Sequence, residues 1–407
     1  MRSADLVLTD HEISVPLDHA DPDGPAITVY AQEVAAPDGS DKPYLLYLEG
    51  GPGMEAPRVI RRAGEPGWLD RALADFRVLL FDQRGTGRST PIGVPAGTPQ
   101  QQAEHLALHR ADAIVRDAEA LRAALGSPPW TVLGQSFGGF TTLAYLSIAP
   151  EGMRRALFSG GLPPIDLGAE GVDPVYRATY ATQHRRNERY YARFPADRDR
   201  VRALVERLQA EDVRLPGGDR LTAGRLRQLG GNLGMQYGAQ QLHDLIVRPV
   251  DSPGFRHGVE SASPFPAFPL YAVIHEACYA DGVATRWSAD RTMPESWPAE
   301  FFTGEHLFPW MFQDMAALAP LREAADLLAE RVWPRLYDPA VLAGNDVPAA
   351  AIAYAEDAYV ERRFSEQTAA ATRGLRLWLT NEYEHDGMHY DGGRILDRLL
   401  ALADDRV

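Results

Sequence analysis

Short apolar runs that stop at glycine-rich turns recur between residues 44 and 161. Tyr44–Leu48 leads into Gly50-Gly51-Pro52-Gly53, and Arg77–Phe81 into Asp82-Gln83-Arg84-Gly85-Thr86-Gly87. Trp130–Leu133 leads into Gly134, and Ala156–Phe158 into Gly160-Gly161. Runs of this length ended by glycine predict buried parallel strands. Between the second and third, Ile114, Ala118, Leu121 and Leu125 fall on one helical face, and Gly126 supplies a stop. Strand, helix and strand in succession predict a parallel sheet with right-handed crossovers. Ahead of them, residues 11–44 are rich in Asp, Pro and Gly between short β-like stretches such as Ile27–Val34, which predicts an antiparallel edge hairpin.

The pattern changes in the middle. From about Asp173 to Arg331 it is mostly helical, with an apolar stripe at Val201, Leu204, Val205 and Leu208 and a second amphipathic stretch over Ala316–Arg331. Aromatic residues are frequent there. Strand texture returns at Ala349–Tyr354 and Leu375–Leu379, and Arg394–Leu402 predicts a closing helix. The expected architecture is therefore α/β: a mostly parallel central sheet flanked by helices, its core split into residues 1–165 and 341–407, with a helical cap of residues 166–340 inserted between them. A length of 407 residues allows one large α/β domain with such an insertion, or two domains.

Composition narrows the chemistry. An apolar fraction of 45% and a charged fraction of 24% are those of a globular protein. Lys+Arg 41 against Asp+Glu 56 gives a net charge of −15, which disfavours nucleic acid as a partner. Lys42 is the only lysine and sits beside Pro43 in a polar loop, so Schiff-base chemistry is not expected. Cys278 is the only cysteine, which excludes an intramolecular disulfide and a cysteine zinc cluster. No H-E-x-x-H or cofactor motif is present, so neither metal nor cofactor is expected. Met1–Asp10 carries no long apolar run, so no membrane association is expected and the cytoplasm is the default location.

One string carries chemistry. Gly134-Gln135-Ser136-Phe137-Gly138 matches G-x-S-x-G after a predicted strand and before a helix-compatible run, Phe140–Ile148. That context is a nucleophile elbow. A β-carbon at Gly134 or Gly138 would clash in so tight a turn, which holds the Ser136 hydroxyl above the sheet. A serine needs a histidine base and an acid to orient it, in the chain order Ser, Asp/Glu, His for this fold. Of eleven histidines only His385 and His389 follow the last predicted strand, and loop placement favours His385. The acid should follow Ala349–Tyr354. Asp357 is placed correctly, with Glu356 its neighbour and Glu361 a further candidate; in an extended loop only one of Glu356 and Asp357 can face the histidine. The oxyanion hole needs two N–H donors, one from Phe137 and the other from Gly50 or Gly51.

Three strings together, Glu49-Gly50-Gly51-Pro52-Gly53, Asp82-Gln83-Arg84-Gly85-Thr86-Gly87-Arg88-Ser89 and Gly134-Gln135-Ser136-Phe137-Gly138-Gly139, resemble the proline iminopeptidases, α/β-hydrolase serine peptidases. His275-Glu276-Ala277, Phe302-Thr303-Gly304-Glu305-His306 and Glu382-Tyr383-Glu384-His385-Asp386-Gly387 are similar to the larger subgroup with the longer cap. Glu49 departs from the smaller members, which carry histidine there. The resemblance implies hydrolytic release of an N-terminal proline, with Ser136, Asp357 and His385 as the triad; of the two glycines Gly51 is taken with Phe137 for the oxyanion hole. It also implies cap glutamates that hold the free prolyl nitrogen, Glu276 first and Glu305 second. A small apolar slot would take the ring, with Phe137 beside it and a cap aromatic such as Trp310 contributing. Arg84 and Arg88 are expected to tie their loop to neighbouring carboxylates or carbonyls. Cys278, two residues past Glu276, is expected to be a buried small side chain. The same triad would also serve an esterase or lipase; an epoxide hydrolase or haloalkane dehalogenase needs a carboxylate where Ser136 stands. A non-catalytic binding protein on this fold usually lacks a triad member, and none is missing here.

Overall fold

The computed structural model describes residues 2–3, 6–59 and 67–406. Nine strands form one sheet: β1 (Arg2–Ser3), β2 (Leu6–Pro16), β3 (Ala26–Ala35), β4 (Tyr44–Leu48), β5 (Arg77–Asp82), β6 (Trp130–Gln135), β7 (Met153–Ser159), β8 (Ala349–Tyr354) and β9 (Leu375–Thr380). Their order is β1-β2-β3-β5-β4-β6-β7-β8-β9. The first three strands and β5 pair antiparallel, and the strands from β5 through β9 pair parallel. The hairpin of β2 and β3 is longer than the sequence pattern suggests and is not wholly at the edge, because β3 also pairs with β5.

Side-chain alternation explains why the central strands read as continuous apolar runs. Leu46 and Leu48 of β4 join Leu79, Phe81, Val132 and Phe158 in one buried cluster. Leu45 and Tyr47 join Val78, Leu80, Leu133 and Leu157 in another. Both faces of the parallel sheet are covered, so neither needs polar residues. The helices Ala111–Ala124 and Phe137–Ile148 pack on the first face, and Trp68–Asp75 and Gly387–Ala403 on the second. Each fully buried leucine or phenylalanine contributes about 1.5–3 kcal/mol.

The closing helix begins at Gly387 rather than Arg394, and breaks regular geometry at Asp391 (φ −139°, ψ 37°). The adjacent Gly392-Gly393 lowers helix propensity and hides this start from the sequence pattern. Gly392 is there for close approach: a Cβ on it would lie 2.7 Å from the Trp68 Cβ.

The insertion between β7 and β8 begins with two long helices, Asp173–Arg193 and Pro195–Ala210, and continues as short helices and irregular stretches. Its second predicted amphipathic stretch is shorter than Ala316–Arg331: the helix spans Arg322–Glu330, after a 3₁₀ turn at Ala319–Leu321. Pro320 lacks an N–H and cannot continue a helix from Ala316. Part of the insertion has its own core, with Val201, Val205, Leu208, Phe255 and Phe302 in a third cluster. Its two flanks, around Tyr176 and from Leu307 to Tyr337, merge with the first sheet cluster.

Candidate active site

The carboxyl ends of β4, β6, β8 and β9 lie along one edge of the sheet. The chain passes from β4 to β5 on one side of it and then crosses from β5 to β6 on the other, and such a switch point opens a crevice at the strand ends. Leu48 pairs with Gly134 in register, so the loop after β4 runs beside the turn after β6. Ser136 occupies that turn at φ 54°, ψ −118°, a strained conformation for a non-glycine residue. Its N–H donates to the Ser159 carbonyl at 2.7 Å, which anchors the turn to β7. A Cβ on Gly134 would lie 2.2 Å from the Gly138 carbonyl oxygen, and one on Gly138 would lie 2.0 Å from that of Leu48. Both positions therefore require glycine.

His385 stands over the serine, its Nε2 3.0 Å from Ser136 Oγ. Its Nδ1 lies 2.8 Å from Asp357 Oδ2. The other oxygen of Asp357 accepts the N–H groups of Tyr359 (2.8 Å) and Val360 (3.1 Å). The Tyr359 ring stacks on the imidazole at 4.5 Å between centroids. The His385 N–H donates to the Gly234 carbonyl at 3.2 Å, and its carbonyl accepts from Gln135 at 3.3 Å. Burial alone would lower the His385 pKa, but the charge and hydrogen bond of Asp357 outweigh it and hold the pKa above the usual histidine value. Glu356 points the other way and pairs with Arg189 at 2.5 Å. Glu361 caps the helix Arg362–Ala371, and His389 lies a turn beyond His385 on the cavity wall.

The loop after β4 separates its two candidate donors. The Gly50 N–H is taken by the Glu49 carboxylate at 2.8 Å. Among the described residues nothing accepts the N–H of Gly51 or of Phe137. Gly51 has φ +117°, which favours glycine. The string after β5 holds this loop: Gln83 Nε2 donates to the Glu49 carbonyl at 2.8 Å. Arg84 is fully buried and grips both oxygens of Asp117, at 2.7 and 2.6 Å. Arg88 pairs with Asp10 and Glu12, each at 2.8 Å. Both arginines thus secure the loop.

A cavity of about 490 Å³ opens at Ser136 and His385. Gly51, Glu49 and Met54 line it from the core, and Met235, Phe265 and Phe268 from the insertion. Sequence reasoning missed these last three, because their segments carry no motif. Glu305 also lines the cavity, with its carboxylate Oε2 3.1 Å from His275 Nε2. Burial pushes the Glu305 carboxyl up to about 8, with His385 opposing the shift and Asp357 adding to it.

Glu276 does not reach this cavity. Its two oxygens accept the N–H groups of Ser288 (3.0 Å) and Ala289 (2.9 Å), so it is committed to the backbone of the insertion. Burial raises its pKa to about 7 despite those bonds. Trp310 is elsewhere too, stacked on Phe308 at 5.8 Å and packed over Gly224. The Phe137 side chain is buried in the sheet core, so only its backbone N–H is offered to the site. Cys278 is a buried free thiol.

Among the described residues no group of three or more His, Cys, Asp or Glu is arranged to hold a metal, and no helix is long and apolar enough to cross a membrane. Residues 43–209 match the α/β hydrolase fold family. The chain is 45% identical over 414 residues to the proline iminopeptidase of Aeromonas sobria, covering 97% of this chain and 96% of that one. It is 31% identical over 438 residues to the proline iminopeptidase aneH of Aspergillus aculeatus, covering 98% and 94%. Similarity at that level along nearly the full length of both relatives places this chain in the proline iminopeptidase family of α/β hydrolases.

Proposed function

We propose that this protein is a serine aminopeptidase that hydrolyses the bond after a free N-terminal proline. The observation that carries the reading is a buried carboxylate, Glu305, on the same cavity as the aligned Ser136, His385 and Asp357. His385 takes the proton of Ser136 as Oγ attacks the prolyl carbonyl. The N–H groups of Gly51 and Phe137 stabilise the oxyanion. His385 then gives its proton to the leaving amine, and a water activated by the same nitrogen releases proline from the acyl-enzyme. Asp357 holds the imidazole with its proton on Nδ1.

Glu305 reads the amine. In the empty cavity burial favours its neutral acid, and a prolyl ammonium restores the carboxylate, because opposite charge at short range favours the ionised form. Met235, Phe265 and Phe268 supply apolar wall for the ring. Residues 166–340 serve as the cap that delivers Glu305 and these walls to the triad. The single buried thiol suits a reducing cytoplasm.

The test is hydrolysis of proline β-naphthylamide beside its N-acetylated form, by wild type and Ser136→Ala. Cleavage of the free amine alone, abolished in the variant, is expected. Equal cleavage of both forms would refute amine reading and leave an esterase-like hydrolase.

A further inference from the structure

Behind the cavity wall lies a chain of buried polar groups that the reaction does not use directly. Glu305 faces the cavity, but the histidine it touches does not line it; the His275 side chain is only 5% exposed. On its far side His275 Nδ1 lies 3.3 Å from the Tyr176 hydroxyl, which belongs to the first long helix of the insertion. A second buried histidine braces the same loop. The Gly304 N–H donates to His306 Nδ1 at 3.2 Å, so the proton of His306 is on Nε2, which donates to Thr179 Oγ1 at 2.9 Å. One imidazole thus holds the loop backbone at Gly304, and the Glu305 carboxylate lies against the other.

The hydrogen-bond roles follow from valence. Across the 3.1 Å contact an ionised Glu305 can only accept, which favours His275 with its proton on Nε2 and leaves Nδ1 as the acceptor. The Tyr176 hydroxyl supplies the donor that this tautomer requires. If Glu305 is protonated, it donates to Nε2, the imidazole proton moves to Nδ1, and the tyrosine oxygen accepts. The same three groups stay paired in either state, with His275 neutral throughout. Burial, which lowers the His275 pKa to about 3, keeps it so. The other groups facing Glu305 are His385, Asp357 and Tyr359.

We infer that His275, set by Tyr176, is a positioning residue for the amine-reading carboxylate, locking the Glu305 side chain toward the nitrogen of the substrate. The inference rests on the reading that Glu305 meets that nitrogen. A glutamate loses much rotamer freedom when it is fixed, and fixing it before the substrate arrives strengthens binding without touching the bond-breaking step. The signature is therefore a change in KM with little change in kcat.

The experiment compares His275→Leu, His275→Gln, Tyr176→Phe and Glu305→Gln on proline β-naphthylamide, with fluorophosphonate labelling of Ser136 as a readout of the triad alone. In His275→Leu, KM should rise about tenfold or more, with kcat within about threefold. Glutamine places an amide N–H near the position of Nε2, so His275→Gln should recover KM to within about threefold of wild type. Tyr176→Phe should shift KM in the same direction by about threefold. Labelling should be unchanged in all three. If His275→Leu does not fold, His275→Gln and Tyr176→Phe decide the matter. KM unmoved in the histidine and tyrosine variants, while Glu305→Gln raises it, would overturn the role of His275 and leave the amine reading intact. Loss of labelling together with binding would overturn it as well, because His275 would then support the whole site. KM unmoved in Glu305→Gln would instead remove the amine reading, and this inference with it.

Discussion

Asp357→Asn isolates the orientation of the base from every other feature of the site. Asp357 Oδ1 is held by the N–H groups of Tyr359 and Val360, and Oδ2 faces His385 Nδ1. An asparagine must keep its oxygen toward the two N–H donors, since its NH₂ group there would set donor against donor. The NH₂ group is then forced toward His385 Nδ1, which has to accept. The imidazole proton moves to Nε2, 3.0 Å from Ser136 Oγ, and the ring can no longer take a proton from the serine. Asp357 is 2% exposed, so no water replaces the lost acceptor. Removing the base in this way costs about 10⁴ in kcat, or about 5.4 kcal/mol at 1.36 kcal/mol per decade. Hydrolysis of proline β-naphthylamide gives kcat and KM, and fluorophosphonate labelling gives the reactivity of Ser136 directly. Both kcat and labelling should collapse while KM stays near wild type and thermal unfolding shifts little, because the substitution keeps shape and all three hydrogen bonds, the one to His385 reversed in direction. A loss of kcat smaller than about a hundredfold would refute this assignment of the acid.

The pH profile should carry an acid limb above the ordinary histidine value of 6.5, because Asp357 raises the His385 pKa against burial and only the neutral ring accepts the serine proton; a kcat/KM profile flat down to pH 6 would contradict it. Gly138→Ala puts a methyl group 2.0 Å from the Leu48 carbonyl oxygen, and should abolish Ser136 labelling at a cost above about 3 kcal/mol in unfolding experiments. Glu276→Ala leaves the N–H groups of Ser288 and Ala289 unpaired, and should lower stability by about 1–3 kcal/mol in thermal denaturation while KM is unchanged. Arg84→Met leaves the buried carboxylate of Asp117 with His19 as its remaining side-chain partner, and should cost about 3 kcal/mol in chemical denaturation.

What could be read from sequence divides along a physical line. Strand ends, the elbow and the order Ser136, Asp357, His385 are local or ordinal properties. The alternation argument allows only one of Asp357 and Glu356 to face the histidine, and Glu356 pairs with Arg189 instead. The order expected for the two cap glutamates, Glu276 first and Glu305 second, had no local pattern to rest on, because both sit in family-like strings and what separates them is direction. Glu276 opens the 3₁₀ turn Glu276–Cys278 and bonds to Ser288 and Ala289, whereas Glu305 lies on a loop braced by His306. Trp310 was one aromatic among many, and aromatic content says nothing about which side of a helical layer a ring covers. Phe265 and Phe268 form cavity wall through a stretch whose periodicity is too irregular to read. Gln83 was legible as part of a motif, but its hold on Glu49 required the register of β4 and β5.

The insertion between β7 and β8 also sets the order in which the catalytic parts come into existence. Ser136 and His385 are 249 residues apart, with the whole insertion translated between them. At roughly 5–20 residues per second, a ribosome needs about 12–50 s to reach the histidine after completing the serine. For that interval the nascent chain carries Ser136 without His385. A chain that ends within the insertion lacks His385, the base of the proposed mechanism. On the proposed mechanism the topology therefore orders the parts, so that the base able to activate Ser136 is made only after the insertion.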